Sequence, residues 1–430
     1  MPMPALHWKA TSFALLACLL IAPLRTDAQT VLIRAGHLVD PAGGRVLTDQ
    51  QILVRDGEIV EIGREVAAVS VDGEVDLSDA WVLPGLIDVH VHLTVNLGYR
   101  RADLHQMYAT ESDALRALRG ARNAEILLRG GFTTVKEIGN DGDYASADVI
   151  EAIRQGWVRG PTIVYAGKIL SPYGGQVLGV SPRHEGFWRY EFTDADTHDE
   201  IRKAIRQNIY HGATTIKMVA GDHPGPVDYF YTEEDVAFAV EEARRSGLKV
   251  TVHTGGGEAA RNAIRGGAAA LEHGFDLDDA LLREMADRGT FLVGTDFHFD
   301  NWYAYGMDST AAQGMYERVV DRLRRAHALG VPLAFGSDII IDLPGMNRLE
   351  SGLRIVQTWK DAGIPPMDVL RALTDRAAAL LGLEGERGRL APGHRADLVA
   401  LPLSPLDDLG HLREIYWVMK DGVVVRDEVP

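Results

Sequence analysis

Trp81-Val82-Leu83-Pro84-Gly85-Leu86-Ile87-Asp88-Val89-His90-Val91-His92 is where the rhythm of the chain changes. Before it, runs such as Val31-Leu32-Ile33-Arg34, Gln51-Ile52-Leu53-Val54 and Ile59-Val60-Glu61-Ile62 are separated by Gly and Asp turns, the pattern of small antiparallel β structure. After it, short β-rich runs alternate with long amphipathic stretches as far as about Leu383. Eight runs read as strands: 82–90, 133–138, 162–167, 214–219, 249–254, 270–274, 290–295 and 332–338. The clearest helices are 111–129, 198–211, 233–246 and 311–329, with Gly130-Gly131, Gly212, Gly247 and Gly330 as C-terminal stops.

Eight strand–helix alternations predict an α/β fold built as a (β/α)8 TIM barrel over residues 84–384. A doubly wound open sheet alternates in the same way, but it gathers its functional residues at one crevice. Here the candidates fall at the ends of many strands. The tail returns to short β runs, Asp397-Leu398-Val399-Ala400-Leu401 and Val418-Met419-Lys420, with a Gly422 turn before Val423-Val424-Val425. Neither terminal segment is long enough for a stable sheet alone, so residues 29–83 and 385–430 are expected to pair as a small β-sandwich domain.

The chain has 430 residues, 46% of them hydrophobic, and a formal net charge of −17. That length and hydrophobic content provide core for both units, and the acidic surface makes nucleic acid and anionic membranes poor partners. A small-molecule substrate fits better. Residues 1–28 carry a weakly basic start at His7 and Lys9, an apolar run from Phe13 to Pro23, and small residues before Gln29. The run is shorter than the roughly 20 residues that span a bilayer, so it reads as a signal peptide cleaved after Ala28, not as a membrane span. A secreted or periplasmic protein follows; the alternative is lipid anchoring at Cys18, because Leu15-Leu16-Ala17-Cys18 loosely resembles a lipoprotein box. Cys18 is the only cysteine, so any metal in the mature chain is held by nitrogen and oxygen.

His90 and His92 lie two apart on a strand, point the same way and can share one ion. Alone, such a pair is as consistent with ordinary core or surface histidines. Lys217, among the apolar neighbours Thr215-Ile216-Lys217-Met218-Val219, reads either as a lysine snorkelling to solvent or as a desolvated amine that captures CO₂ as a metal-bridging carbamate. His253, His273 and Asp338 each sit at the C-terminal end of their own strand. In a barrel those ends converge on one rim, so the set reads together as a metal site.

Pro84-Gly85-Leu86-Ile87-Asp88-Val89-His90-Val91-His92, Lys217, Glu272-His273-Gly274, Gly336-Ser337-Asp338 and the tail from Gly388 to Leu398 together resemble the amidohydrolase superfamily. Within it, Lys217 on the fourth strand and the stretches Gly131-Phe132-Thr133-Thr134-Val135 and Gly212-Ala213-Thr214-Thr215-Ile216-Lys217 look like the binuclear branch of Xaa-Pro dipeptidases and ochratoxin-hydrolysing amidases. The resemblance implies two divalent metals, Zn²⁺ favoured and Mn²⁺ or Co²⁺ able to replace it. His90, His92 and Asp338 would hold one, His253 and His273 the other, with N6-carboxylated Lys217 shared. It also implies a ring-like homo-oligomer.

Such a pair of metals makes a bridging hydroxide available at ordinary pH, and Asp338 is then expected to take its proton and pass it to the departing amine. Expected substrates are N-acyl amino acids, dipeptides or ochratoxin-like amides. A lactonase or phosphotriesterase would use the same ligands, and a non-catalytic scaffold is the reading from another class. Gln176 in Ser171-Pro172-Tyr173-Gly174-Gly175-Gln176 stands where related dipeptidases usually show a histidine. Tyr229 and Tyr231 offer hydroxyls for a substrate carboxylate, or pack. His298 and the aromatics of Phe297-His298-Phe299 and Trp302-Tyr303-Ala304-Tyr305 line an apolar pocket, or seal an interface.

Overall fold

A computed structural model of the chain describes residues 29–67, 69–100, 103–139, 142–176, 183, 186–221 and 228–428. The expected signal peptide with Cys18 lies outside the described residues. The N-terminal strands are β1 (Thr30–Asp40), β2 (Arg45–Arg55), β3 (Glu58–Gly63) and β4 (Gly73–Pro84). The middle of the chain holds β5 (Leu86–Val91), β6 (Phe132–Glu137), β7 (Thr162–Tyr165), β8 (Ile169–Ser171), β9 (Phe192–Asp194) and β10 (Ile216–Val219). It continues with β11 (Val250–Gly256), β12 (Ala270–Asp276) and β13 (Phe291–Val293), and the tail adds β14 (Leu398–Leu401), β15 (Trp417–Lys420) and β16 (Val423–Asp427).

The two terminal segments do meet, in one seven-stranded sheet of order β16-β15-β14-β4-β1-β2-β3. A sandwich of two facing sheets was expected. Instead β14 adds antiparallel to the edge of β4, with Leu398 opposite Pro84 and Leu401 opposite Trp81. Edge pairing satisfies the open backbone groups of both short segments at once. Alternation then divides the side chains: Ile33, Ile52, Leu398, Ala400, Trp417 and Met419 form a core of their own, while Val39, Leu83, Val399, Leu401 and Val418 join the main core. Both faces are therefore used, the second to seat the sheet on the helical body.

The tail is pinned by charge as well. Arg387 places Nη1 2.5 Å from Asp397 Oδ2 and Nη2 2.9 Å from Asp421 Oδ1, and the Arg387 and Asp397 side chains are only 8% and 4% exposed. Removing Arg387 leaves the buried Asp397 with only the more distant Lys420, Nζ 3.8 Å from Oδ1, as counter-ion. Arg387→Met is accordingly expected to lower unfolding stability by about 1.5–3 kcal/mol in urea titration, the range for a lost hydrogen bond to a charged group; an unchanged midpoint would show that the pair contributes nothing to docking the tail.

The middle strands pair in parallel, as β5-β6-β7 and as β13-β12-β11-β10-β8-β9. Long helices alternate with them, among them Asp113–Arg129, His198–Tyr210, Glu233–Arg244 and Ser309–Ala328. The mixed α/β class is as expected, but the described ladders form separate sheets and not one closed ring. The eighth expected strand, 332–338, makes a single bridge, Leu333 with Leu292. It nevertheless hydrogen-bonds on both sides, Ala334 N to Leu292 O at 3.1 Å, Val89 N to Phe335 O at 2.9 Å and Asp338 N to His90 O at 2.8 Å. The reason is local: a Cβ on Gly336 would come within 2.7 Å of His90 Cβ, and Asp338 has φ of 49°, so the segment leaves extended geometry to approach β5 closely. The expected run 82–90 is likewise split at Gly85, where a Cβ would collide with the Thr133 side chain. No helix among the described residues is long and apolar enough to cross a membrane.

Candidate metal centre

Parallel strands point their C-terminal ends one way, so the histidines at the ends of β5, β11 and β12 gather on one rim. Register sets their heights: His253 lies opposite Val219 and Glu272, and Thr254 lies opposite His273. Adjacent residues on a strand normally face opposite sides. His273 escapes that rule with φ of 71°, which lets Glu272 and His273 both serve the interior. Thr295 and Asp338 also have positive φ, 44° and 49°. Backbone strain of this kind costs about 1–3 kcal/mol per residue and collects where side chains must be aimed.

Asp88 ties the segments that carry His90 and Asp338 together. Its Oδ1 accepts from His90 N and from Ser337 N, both at 3.0 Å. Burial pushes its carboxyl up to about 6.

The tautomers follow from the partners. His92 Nδ1 lies 2.7 Å from Gly139 O, which can only accept, and His90 Nδ1 lies 2.8 Å from the Glu272 carboxylate. Both Nδ1 atoms therefore carry hydrogen, and both Nε2 atoms present lone pairs. Those lone pairs face each other at 3.2 Å, with Asp338 Oδ1 3.4 Å from His90 Nε2 and 3.2 Å from His92 Nε2. The three ligand atoms lie within 4.8 Å of one another. Two lone pairs and a carboxylate converging in a buried site repel unless a cation lies between them, so this donor set fits a divalent metal bound by nitrogen and oxygen.

The other expected ligands are adjacent. His273 Nδ1 is 3.7 Å from Asp338 Oδ2 and 2.8 Å from Thr295 Oγ1, and its ring stands 4.2 Å from that of His253 and 5.1 Å from that of His90. Lys217 is buried on β10, and burial brings its ammonium down to about 8, against the opposing pull of Glu272. Burial and the facing His253 hold His273 well below the usual imidazole range.

Of the four expected substrate contacts, Gln176 touches this cluster, with Nε2 2.6 Å from His253 Nε2. Tyr229 is 46% exposed at the rim, and its hydroxyl donates to Tyr173 O. Tyr231 is buried and donates to Ala195 O at 2.8 Å, so its hydroxyl is used inside the fold. His298 caps the helix Phe299–Ala304, its ring nitrogen accepting from Asp300 N at 3.3 Å, and meets Tyr316 edge-on. Phe297 and Trp302 are buried, not displayed: Trp302 packs on Phe297 and Phe275, and Phe275 lies 5.4 Å from the His273 ring.

Sequence reading missed Lys136. It is buried on β6, with Nζ 2.7 Å from Glu272 Oε1. The signal was present, since Gly131-Phe132-Thr133-Thr134-Val135-Lys136 repeats the pattern of Gly212-Ala213-Thr214-Thr215-Ile216-Lys217. Glu272 stood only as part of a motif and Thr295 not at all.

Comparison with known proteins supplies a family and relatives. A model of the amidohydrolase family matches residues 81–425. The chain is 27% identical to an ochratoxinase of Aspergillus niger, over 90% of this chain and 84% of that protein. It is 29% identical to an imidazolonepropionase of Deinococcus deserti, over 89% and 95%. Among solved structures, a Xaa-Pro dipeptidase with methionine bound in its active site superposes with a TM-score of 0.80 at 25% identity, covering 93% of this chain and all (100%) of that one.

Proposed function

The chain belongs to the amidohydrolase family, and from that premise we propose that it is a binuclear metal-dependent hydrolase of an amide bond joining an acyl group to a terminal amino acid. N-acyl amino acids, dipeptides and ochratoxin-like amides are the substrate class. The observation that carries this reading is the convergence of the His90 and His92 lone pairs on Asp338 in a buried site. The hydrogen bonds of 332–338 to β13 and β5 support reading the parallel strands as a (β/α)8 barrel.

His90, His92 and Asp338 would hold one ion and His253 and His273 the other, with N6-carboxylated Lys217 shared and Zn²⁺ the favoured metal. Bound there, the metals supply an acidified water and a polarised carbonyl. The chain supplies the rest. Asp338, whose carboxylate stands between the histidine pair and His273, takes the proton of the attacking water and delivers it to the leaving nitrogen. Gln176 and Tyr229 orient the acyl amino acid from the rim, and the Phe275–Trp302–Phe297 group walls the side next to His273.

Purified enzyme is expected to carry close to two equivalents of transition metal per chain, by elemental analysis. It is expected to lose turnover of N-acyl amino acids on chelation and regain it with Zn²⁺. A panel of N-acyl amino acids, their carboxamides, lactones and phosphotriesters tests the class, and a preference for lactones or phosphotriesters would overturn it. Gln176→Ala is expected to raise KM by about 10-fold with kcat little changed, the signature of one lost hydrogen bond made equally in ground and transition states. A fall in kcat alone would reject that role.

A further inference from the structure

We propose that Lys136 is a positioning residue for the metal site: with Thr251 it holds Glu272 as the anion that orients His90. The inference rests on the metal reading above and concerns residues outside the ligand set.

Glu272 is completely buried, yet both of its oxygens are taken. Oε1 receives Lys136 Nζ at 2.7 Å and the hydroxyl of Thr251, and Oε2 faces His90 Nδ1 at 2.8 Å. The contacts join four strands, with Lys136 on β6, Thr251 on β11, Glu272 on β12 and His90 on β5. A carboxylate so far from water is retained only when paired and fully hydrogen-bonded. Lys136 is the cation that meets that need, itself only 2% exposed.

The consequence reaches His90. A carboxylate at Nδ1 requires hydrogen there, so the lone pair is confined to Nε2 and aimed at His92 Nε2 and Asp338 Oδ1. A ring free to flip or to change tautomer would present the lone pair in that direction only part of the time. Lys136 thus acts on the metal through Glu272 without reaching it. The arrangement also separates two similar lysines. Lys136 is the ion-paired partner of Glu272, whereas Lys217 forms no ion pair among the described residues, which leaves its amine for the carbamate.

The test measures metal dissociation constants of folded protein by competition with a chromogenic chelator, using Zn²⁺. Lys136→Met and Glu272→Gln are each expected to weaken binding at the histidine-pair site by roughly 10–100-fold, the usual effect of losing such an outer partner. The double variant is expected to lose no more than Glu272→Gln alone, because the two residues act as one unit. Excess Zn²⁺ is expected to restore much of the turnover, which a purely structural role would not allow. Should Lys136→Met fail to fold, the double variant, which buries neither a lone cation nor a lone anion, carries the comparison. Wild-type affinity in the folded single or double variants would overturn the proposal. Absence of metal binding by the wild type would instead overturn the functional reading on which it rests.

Discussion

Asp338→Asn is expected to lower kcat by about 10²–10⁴-fold, the range for removing a positioned acid–base group, while leaving most of the metal bound. Asparagine keeps the shape of the side chain and an oxygen for the histidine-pair site, but it cannot accept and return a proton. The carboxylate stands 3.2 Å from His92 Nε2, 3.4 Å from His90 Nε2 and, by its other oxygen, 3.7 Å from His273 Nδ1. It therefore stands between the histidine pair and His273, where it could take a proton from the attacking water and return it to the leaving nitrogen. The leaving group provides the sharper measurement. A p-nitroanilide departs with less need of protonation than an ordinary amino acid amine, so the defect should be smaller on the anilide. Equal defects on both substrates would assign Asp338 to water activation alone. Full turnover would remove it from proton transfer, and loss of metal in proportion to activity would make it only a ligand.

Residue spacing brought the candidate ligands into view before the fold was known. His90 and His92 are two apart on a strand, and His253, His273 and Asp338 each follow an apolar run, so a parallel barrel predicts where they meet. What spacing does not carry is the backbone irregularity that aims them. The left-handed turns at His273, Thr295 and Asp338 break the period of two, and no hydropathy pattern registers a single residue of positive φ. Glu272 illustrates the cost. By strict alternation it and His273 could not both face inward, so the carboxylate was read as part of a motif and its cation, Lys136, was overlooked. The terminal segments were read as partners for a sound reason, short runs needing a neighbour. Whether they stack as two sheets or join edge to edge depends on which edge lies open, and β4 offered one to β14. The 332–338 run is apolar and strand-like in composition, but the close approach of Gly336 to His90 replaces a ladder with isolated contacts, a tertiary effect that local pattern does not contain.

Lys217→Ala is expected to abolish turnover, with a loss of at least about 10³-fold. A metal acting as Lewis acid is worth several kcal/mol, and each 1.36 kcal/mol is tenfold in rate. A ligand shared between two ions would cost more on removal than one serving a single ion. Lys217 is 2% exposed, and burial has already brought its ammonium down to about 8, so a fraction of the amine is neutral and able to add CO₂ at ordinary pH. Two substitutions separate the carbamate from a merely cationic role. Lys217→Arg keeps the charge but forms no stable carbamate, and it is expected to be as inactive as Lys217→Ala. Propionate or acetate added to Lys217→Ala supplies a carboxylate of about the right reach, and partial recovery of turnover with recovery of bound metal is expected. Lys136→Ala should show no such response, because its partner is a carboxylate and not a metal. Activity in Lys217→Arg would mean that a positive charge suffices at this position. That result would also remove the proposed bridging ligand and leave only His253 and His273 for the proposed second ion.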